Sequence, residues 1–175
     1  MAKVTLVTEH LILRKPKLSD VKPMFINWAS DPEVTKYLTW PPHNNIEVTR
    51  NVVKRWLEEE KDPKTIRFII TIKGSDEPFG SIDVVGYKDG IPEIGYCLAR
   101  KHWGKGYMTE ACKALIKYLF DKGYNKVMIC AETENIGSNR VIEKCGFKFV
   151  ETVHREEASP FKHYPIDLNY YEIKK

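Results

Sequence analysis

Residues 100–107 read Arg-Lys-His-Trp-Gly-Lys-Gly-Tyr, and this short segment is the most informative part of the sequence. A strand-like run over 93–99 precedes it, and an amphipathic pattern over 107–122 predicts a helix after it. Gly104 and Gly106 let the backbone turn tightly and approach a ligand closely. The first amides of the helix and the positive end of its dipole point to the same place. The segment therefore predicts a cradle for an anion, and a pyrophosphate fits it best.

The charge distribution favours one small polyanion over a nucleic acid. The 175 residues include 28 basic and 24 acidic ones, which gives a net charge of +4. Three basic residues and no acidic one lie within 94–109. A nucleic-acid surface is usually more strongly basic, so we expect no direct nucleic-acid partner. A Walker loop needs Ser or Thr at Gly106, and a dinucleotide-binding loop needs Gly at Thr109, so both are excluded.

Composition and cysteine spacing indicate an ordinary folded protein of the cytoplasm. Hydrophobic residues make up 42% of the chain and charged ones 30%, which excludes a disordered or disulfide-scaffold class. We expect no membrane association, because no apolar run is long enough to span a bilayer and no signal peptide is evident. The four cysteines have no metal-binding or redox spacing, so we expect structural thiols and no metal site at Cys97, Cys112, Cys130 and Cys145.

The hydrophobic pattern predicts a single α/β (α+β) domain over residues 1–175. We expect a mixed sheet, antiparallel at first, followed by strands that alternate with helices. Ser19 is a candidate cap for the first helix, and Asn44 with Glu47 resembles a capping box for the second. The predicted strands are 11–13, 68–72, 79–85 (ending at Gly86), 93–99, 127–131, 147–150 and one within 166–173. The later helices are predicted at 107–122 and 135–144.

Two blocks resemble the GNAT superfamily of N-acetyltransferases. K-H-W-G-K-G-Y-M-T-E-A (101–111) is similar to its acyl-CoA loop, and E-N-I-G-S-N-R-V-I-E-K-C-G-F (134–147) to its later helix. E-H-L-I-L-R (9–14) and W-P-P-H (40–43) resemble the RimJ/RimL branch, which acetylates N-termini of ribosomal proteins. The resemblance implies a sheet of about six to seven strands flanked by about four helices. Acetyl-CoA would lie in the cleft between two splayed parallel strands, Glu93–Ala99 and Val127–Glu132.

The resemblance also implies which residues bind acetyl-CoA. Backbone groups of Tyr96, Cys97 and Leu98 would pair with the pantetheine arm. The Asn135 side chain would contact the same arm, although a helix cap is an alternative and compatible role. Lys101 stands where Gln or Arg is commoner in the family, which keeps the positive charge. The pyrophosphate would lie on the loop formed by Lys101, His102, Trp103, Gly104, Lys105, Gly106 and Tyr107.

Glu93 is the catalytic base that the resemblance implies, since a carboxylate at this strand position is the proposed base of RimL-like enzymes. Alternatively, Glu93 is a solvated carboxylate at the end of the strand, and Asp83 or water is the base. Ser138 would protonate the departing thiolate, although it could instead bond the backbone of the first helical turn. Ile142 stands where many relatives carry a Tyr with that role.

Five other side chains have two alternative roles each. Two histidines, His102 and His154, could act as bases, but such residues are more often structural or solvated. Loop residues Trp40, His43 and Tyr87 could form a wall of the acceptor site or could simply pack.

The resemblance implies direct attack of an amine on acetyl-CoA in a ternary complex. Cys97 is the thiol expected nearest the site, and no evident base accompanies it, so an acyl-enzyme is not expected. The expected acceptor is a protein N-terminal α-amine. Alternatives are a small amine (a polyamine, amino acid or antibiotic) and a non-catalytic acyl-CoA sensor. We expect a monomer or a homodimer.

Overall fold

One mixed sheet of eight strands organises the chain in a computed structural model that describes residues 4–175. The strands are β1 (Leu6–Val7), β2 (Leu11–Arg14), β3 (Arg67–Ile72), β4 (Pro78–Lys88), β5 (Ile91–Leu98), β6 (Lys126–Glu132), β7 (Lys148–Arg155) and β8 (Ile166–Lys174). Their order is β1-β2-β3-β4-β5-β6-β8-β7. Neighbours are antiparallel except β5 and β6, which are parallel. The predicted fold class is confirmed.

The predicted strand count of six to seven is one too low. The additional strand is β1, which pairs only Leu6 and Val7 with β2. Two residues are too few to show the alternation by which a strand is predicted from sequence.

Helices cover both faces of the sheet. They are α1 (Val21–Met24), α2 (Pro32–Thr35), α3 (Ile46–Glu59), α4 (Tyr107–Asp121) and α5 (Ile136–Lys144). Phe68 packs edge-on against Tyr118 of α4 at 5.7 Å, whereas the guanidinium of Arg67 lies 4.8 Å from the Trp56 ring of α3. Neighbouring strand residues point to opposite faces, so α3 and α4 lie on opposite sides of the sheet.

Three predicted element boundaries are wrong by a few residues. The first helix begins as a 3₁₀ turn (Leu18–Asp20) after Lys17, and the carboxylate of Asp20 accepts from the Lys17 amide, so Ser19 is not the cap. Asn45, one residue after the predicted cap, accepts from the first amides of α3. Strand β4 does not end at Gly86 but continues to Lys88, because a bulge between Val84 and Gly86 absorbs the irregularity.

A buried ion pair joins the start of the chain to the sheet. Arg14 on β2 donates from both terminal nitrogens to Asp20, at 2.9 and 2.8 Å, and both side chains are almost fully buried. Asp76, at the turn before β4, accepts from Arg14 Nε at 2.6 Å. The guanidinium therefore holds three segments together.

Removing the Asp20 carboxylate should destabilise the fold. Asp20→Ala leaves the Arg14 charge buried and only partly compensated, so we expect the free energy of unfolding to fall by about 3 kcal/mol. Urea denaturation followed by tryptophan fluorescence measures the change. Asp121→Ala, which removes an exposed pair with Lys117, should cost less than about 1 kcal/mol. Equal losses in the two variants would contradict a structural role for the buried pair.

Candidate active site

The site is built around a gap in the sheet. β5 and β6 are in register at one position, Glu93 with Met128, and diverge beyond it. β5 stays paired with β4 up to Leu98, and β6 stays paired with β8 along its whole length. The predicted separation of these parallel strands is confirmed. It leaves one edge of β5 facing the gap, where an extended ligand can pair with the strand.

A loop of free amides lies beyond the open end of the gap. Gly104 has φ = +71° and Gly106, the N-cap of α4, has φ = +81°. Within residues 4–175, no acceptor outside helix α4 is hydrogen-bonded to the N–H groups of 104–109. The amides of His102 and Trp103 instead donate to Ala99 and Arg100, because a 3₁₀ turn precedes the glycines. The free donors are therefore 104–109, a set that begins later than the predicted loop of 101–107.

The loop side chains divide into supporting and charged groups. The Trp103 indole donates to the Leu98 carbonyl at 2.7 Å and fixes the end of β5. The His102 ring stacks 4.3 Å from Phe79. Burial, with help from the positive charges of the neighbouring lysines, lowers the pKa of His102. Arg100, Lys101 and Lys105 are all exposed. Arg100 pairs with Asp31 at 3.1 Å and Lys101 lies 3.8 Å from Glu77, whereas Lys105 has no carboxylate within 4 Å among residues 4–175.

Glu93 lies at the closed end of the gap, beside a thiol. Cys130 Sγ donates to Glu93 Oε1 at 3.2 Å. Burial and the Glu93 charge raise the pKa of Cys130 to about 12, so this thiol stays protonated and is not a nucleophile at neutral pH. Cys97, the thiol expected nearest the base, instead contacts Ser81 at 3.3 Å, and burial raises its pKa to about 11. The sequence alone could not identify Cys130 as the thiol beside Glu93, because the register between β5 and β6 determines which side chains meet there.

Asp83 is held in a structural ion pair. Its carboxylate accepts from Arg67 Nε at 3.1 Å, and Arg67 also donates to Glu59 at 2.7 Å. Burial raises the pKa of Asp83, and the Arg67 charge opposes that effect. Because Arg67 occupies it, this carboxylate is the weaker candidate for a base.

Ser138 and Asn135 meet Tyr96 at the start of α5. The Asn135 side chain accepts from the Ser138 amide at 3.1 Å, so it caps the helix. The Tyr96 hydroxyl lies 2.9 Å from Ser138 Oγ and 3.3 Å from the Ser138 carbonyl, to which it can only donate. Burial raises the pKa of Tyr96 well above its ordinary value, so the phenol stays protonated. The sequence predicted only backbone contacts for Tyr96.

Asn139 is a second residue that the sequence analysis missed. Its amide nitrogen donates to the carbonyls of Glu132 and Asn135, at 2.9 and 2.8 Å, and its oxygen accepts from the Tyr171 hydroxyl at 2.6 Å. These bonds fix α5 against β6 and β8. Asn139 thereby sets the position of Ser138.

The side chains proposed for the acceptor wall have mixed roles. His43 is buried and bonds Thr49 at 2.7 Å, and Trp40 packs 5.1 Å from it, so both pack the loop. Tyr87 lies on β4 rather than in a loop. His154 is exposed on β7, where its hydrogen bond to Asp167 raises its pKa. Trp40 and His43 therefore have the alternative packing role, and the His154 ring on β7 is engaged by Asp167.

Comparison with known proteins agrees with this geometry. The model of the Acetyltransferase (GNAT) domain matches residues 10–148. "Uncharacterized N-acetyltransferase p20" of Bacillus licheniformis is 35% identical over 147 residues, which is 82% of this chain and 82% of that protein. Two solved structures share the fold. The immunity acetyltransferase MccE, in complex with acetyl-CoA and AMP, has a TM-score of 0.83 at 22% identity, covering 95% of this chain and 93% of its own.

The second is RimL, a ribosomal L7/L12 alpha-N-protein acetyltransferase, with a TM-score of 0.85 at 19% identity, covering 100% of this chain and 96% of its own. In the described part of the chain, no helix is long and apolar enough to cross a membrane. Residues 4–175 also contain no cluster of three side chains that could hold a metal ion. The free amides and the gap fit a long ligand with a pyrophosphate, as coenzyme A is.

The cradle predicts a specific sensitivity of coenzyme A binding to Gly106. Gly106→Ala forces a Cβ onto a left-handed backbone, at a cost of about 1–2 kcal/mol, and relief of this strain moves the free amides. Loss of one bond to a charged phosphate should raise the Kd for coenzyme A about tenfold, measured by calorimetry.

Gly123→Ala is the matched control. Gly123 has φ = +98° after the last turn of the same helix, so the strain is similar but lies far from the cradle. We expect similar destabilisation and an unchanged Kd. Equal effects of both variants on the Kd would mean that 104–109 do not hold the phosphates.

Proposed function

This chain belongs to the GNAT acetyltransferase family and is an acetyl-CoA-dependent N-acetyltransferase, and we propose that its acceptor is a protein N-terminal α-amine. One observation carries the proposal. The gap between β5 and β6 has Glu93 at its closed end and the free amides of 104–109 beyond its open end. The proposed base and the proposed anion cradle therefore lie at the two ends of one gap in the sheet.

The amides of 104–109 would hold the pyrophosphate, and the unpaired edge of β5 would hold the pantetheine arm. Acetyl-CoA supplies the acetyl group as a thioester. Lys101 and Lys105 are exposed at the cradle and add positive charge for the phosphates. Asn135 has its oxygen engaged in the helix cap, so only its amide nitrogen is free for the arm.

Glu93 would accept the proton of the attacking amine, directly or through water. The proton has to leave because a protonated amine has no lone pair for the thioester carbon. An α-amine has a pKa of about 7.7–8.0 and a Lys amine about 10.4, so a single carboxylate suffices more easily for an N-terminus. Cys130 stays a neutral thiol beside Glu93, which supports direct attack without an acyl-enzyme.

Ser138 would return a proton to the departing thiolate. The Tyr96 hydroxyl lies 2.9 Å from Ser138 Oγ, and this contact holds the serine hydroxyl in place at the start of α5. Ser138 would thereby take the role of the Tyr that many relatives carry at the position of Ile142. Tyr96 is thus a positioning residue, and Ser138 is the acid.

The RimL likeness supports an N-terminal acceptor, since that protein acts on the α-amine of a ribosomal protein. The RimJ/RimL motifs at 9–14 and 40–43 support it independently. A single domain over residues 1–175 also forms part of the proposal, because one sheet runs from Leu6 to Lys174. Free cysteines throughout the described chain support a reducing, cytoplasmic location.

An acceptor screen tests the proposal. Thiol release from acetyl-CoA is followed with N-terminal peptides of ribosomal proteins, with the same peptides blocked at the α-amine, and with polyamines, amino acids and aminoglycosides. We expect release only with free peptide N-termini. Release only with small amines would refute the proposed acceptor, and tight acetyl-CoA binding without any release would indicate a sensor.

Replacing the base should matter most at low pH. Glu93→Gln should lower kcat/KM about 100-fold at pH 7. The loss should shrink towards pH 9, where an α-amine is already mostly neutral. The Kd for acetyl-CoA should not change. Glu151→Gln, exposed on β7, is the charge-matched control. A loss that is the same at every pH would argue against Glu93 as base.

Removing the Tyr96 hydroxyl should slow turnover through Ser138. We expect Tyr96→Phe to lower kcat about tenfold, as for one lost hydrogen bond, with KM for acetyl-CoA unchanged. In a Ser138→Ala background the same change should have no further effect. Tyr124→Phe removes a phenol that bonds Tyr87 outside the gap and should leave kcat unchanged. Additive losses in the double variant would refute the positioning role.

A further inference from the structure

Arg155, the last residue of β7, lies close to the proposed base without being paired to it. Its Nη2 donates to the Tyr170 hydroxyl at 2.5 Å. Tyr170 is the register partner of Cys130, whose thiol donates to Glu93. Arg155 and Glu93 are therefore linked through two side chains on one face of the sheet.

The guanidinium of Arg155 has no carboxylate within 4 Å among residues 4–175. The nearest acidic residues along the chain are otherwise engaged or exposed. Glu157 pairs with His163 at 3.2 Å, and Glu156 lies near His154 at 3.5 Å. Tyr170 uses one donor of Arg155, so the rest of its fork is available for a ligand.

An open pocket of about 590 Å³ adjoins Arg155. Thr39 forms one side of it, and the segment between β7 and β8 forms the other through Glu157, Ala158, Ser159, Pro160 and His163. The Glu157 carboxylate in this lining is paired with His163, so Arg155 is the cation of the pocket without a carboxylate partner among residues 4–175. Lys162 ties that segment to the end of α2 by donating to the carbonyls of Thr35 and Lys36, each at 2.7 Å. Both sides are therefore fixed, and the volume accommodates a few residues of an extended peptide.

We propose that Arg155 binds a carboxylate of the acceptor, so that the enzyme prefers protein N-termini with an acidic side chain among their first residues. This inference rests on the proposed function. An arginine fork suits a planar carboxylate and can bond it through two nitrogens. A polyamine or aminoglycoside would bring positive charge against Arg155. The pocket thereby separates acidic N-termini from cationic small amines.

Paired peptides test the inference. Hexapeptides with an amidated C-terminus carry Asp and Glu at positions two and three, or Asn and Gln at the same positions. A third arm gives the amide peptide a free C-terminal carboxylate, which distinguishes a side-chain carboxylate from a terminal one. We expect kcat/KM to be about tenfold higher for the acidic peptide. This factor corresponds to the low end of the stabilisation that a hydrogen bond to a charged group provides.

The variants assign the preference to Arg155. Arg155→Gln should equalise the two peptides by slowing only the acidic one, with coenzyme A affinity and the unfolding midpoint unchanged. Lys148→Gln removes an exposed charge at the other end of β7 and should keep the preference. Equal rates with the native enzyme, a preference retained in Arg155→Gln, or a preference for the free C-terminus alone would overturn the inference. Acetylation of no peptide at all would overturn the proposed function as well.

Discussion

The single point of contact between β5 and β6 is the constraint on which the rest of the structure depends. β5 is committed to β4 and β6 to β8, so the two parallel strands share only Glu93 and Met128 before their directions separate. A gap inside a sheet leaves backbone groups unpaired without exposing an outer edge. The crossover from β5 to β6 must pass through 100–107 and α4, which brings the free amides to the open end.

Burial around this gap keeps the Cys130 thiol and the Tyr96 phenol in their uncharged forms. It raises the pKa of the Cys130 thiol and of the Tyr96 phenol, so neither ionises at physiological pH. A thiolate there would compete with the amine for the thioester. A phenolate at Tyr96 could no longer donate to Ser138. The same low polarity that forms the core therefore leaves Glu93 as the proposed proton acceptor and Ser138 as the proposed proton donor.

Local features of this fold were predictable from the sequence, and features that depend on register were not. Gly104 and Gly106 act on their own backbone, so the sequence predicted the tight turn of this loop, whereas the 3₁₀ turn that engages the amides of His102 and Trp103 was not predicted. Asn44 and Asn45 can both cap a helix, and only the entry angle of the chain selects Asn45. The pairing of Cys130 with Glu93 and the reach of Arg155 to Tyr170 follow from strand register, which no spacing in the sequence reveals.

Alternation along β5 places Glu93 and Tyr96, the residue that contacts Ser138, on opposite faces of the sheet. Glu93 and Tyr96 are three residues apart, so their side chains point in opposite directions. β8 repeats this division, since Tyr170 contacts Arg155 on one face and Tyr171 contacts Asn139 of α5 on the other. In a continuous sheet these groups could not serve one reaction. Here the sheet is open between them, so in the proposed mechanism the amine would approach from the face of Glu93 while the sulfur would receive its proton from the face of Ser138.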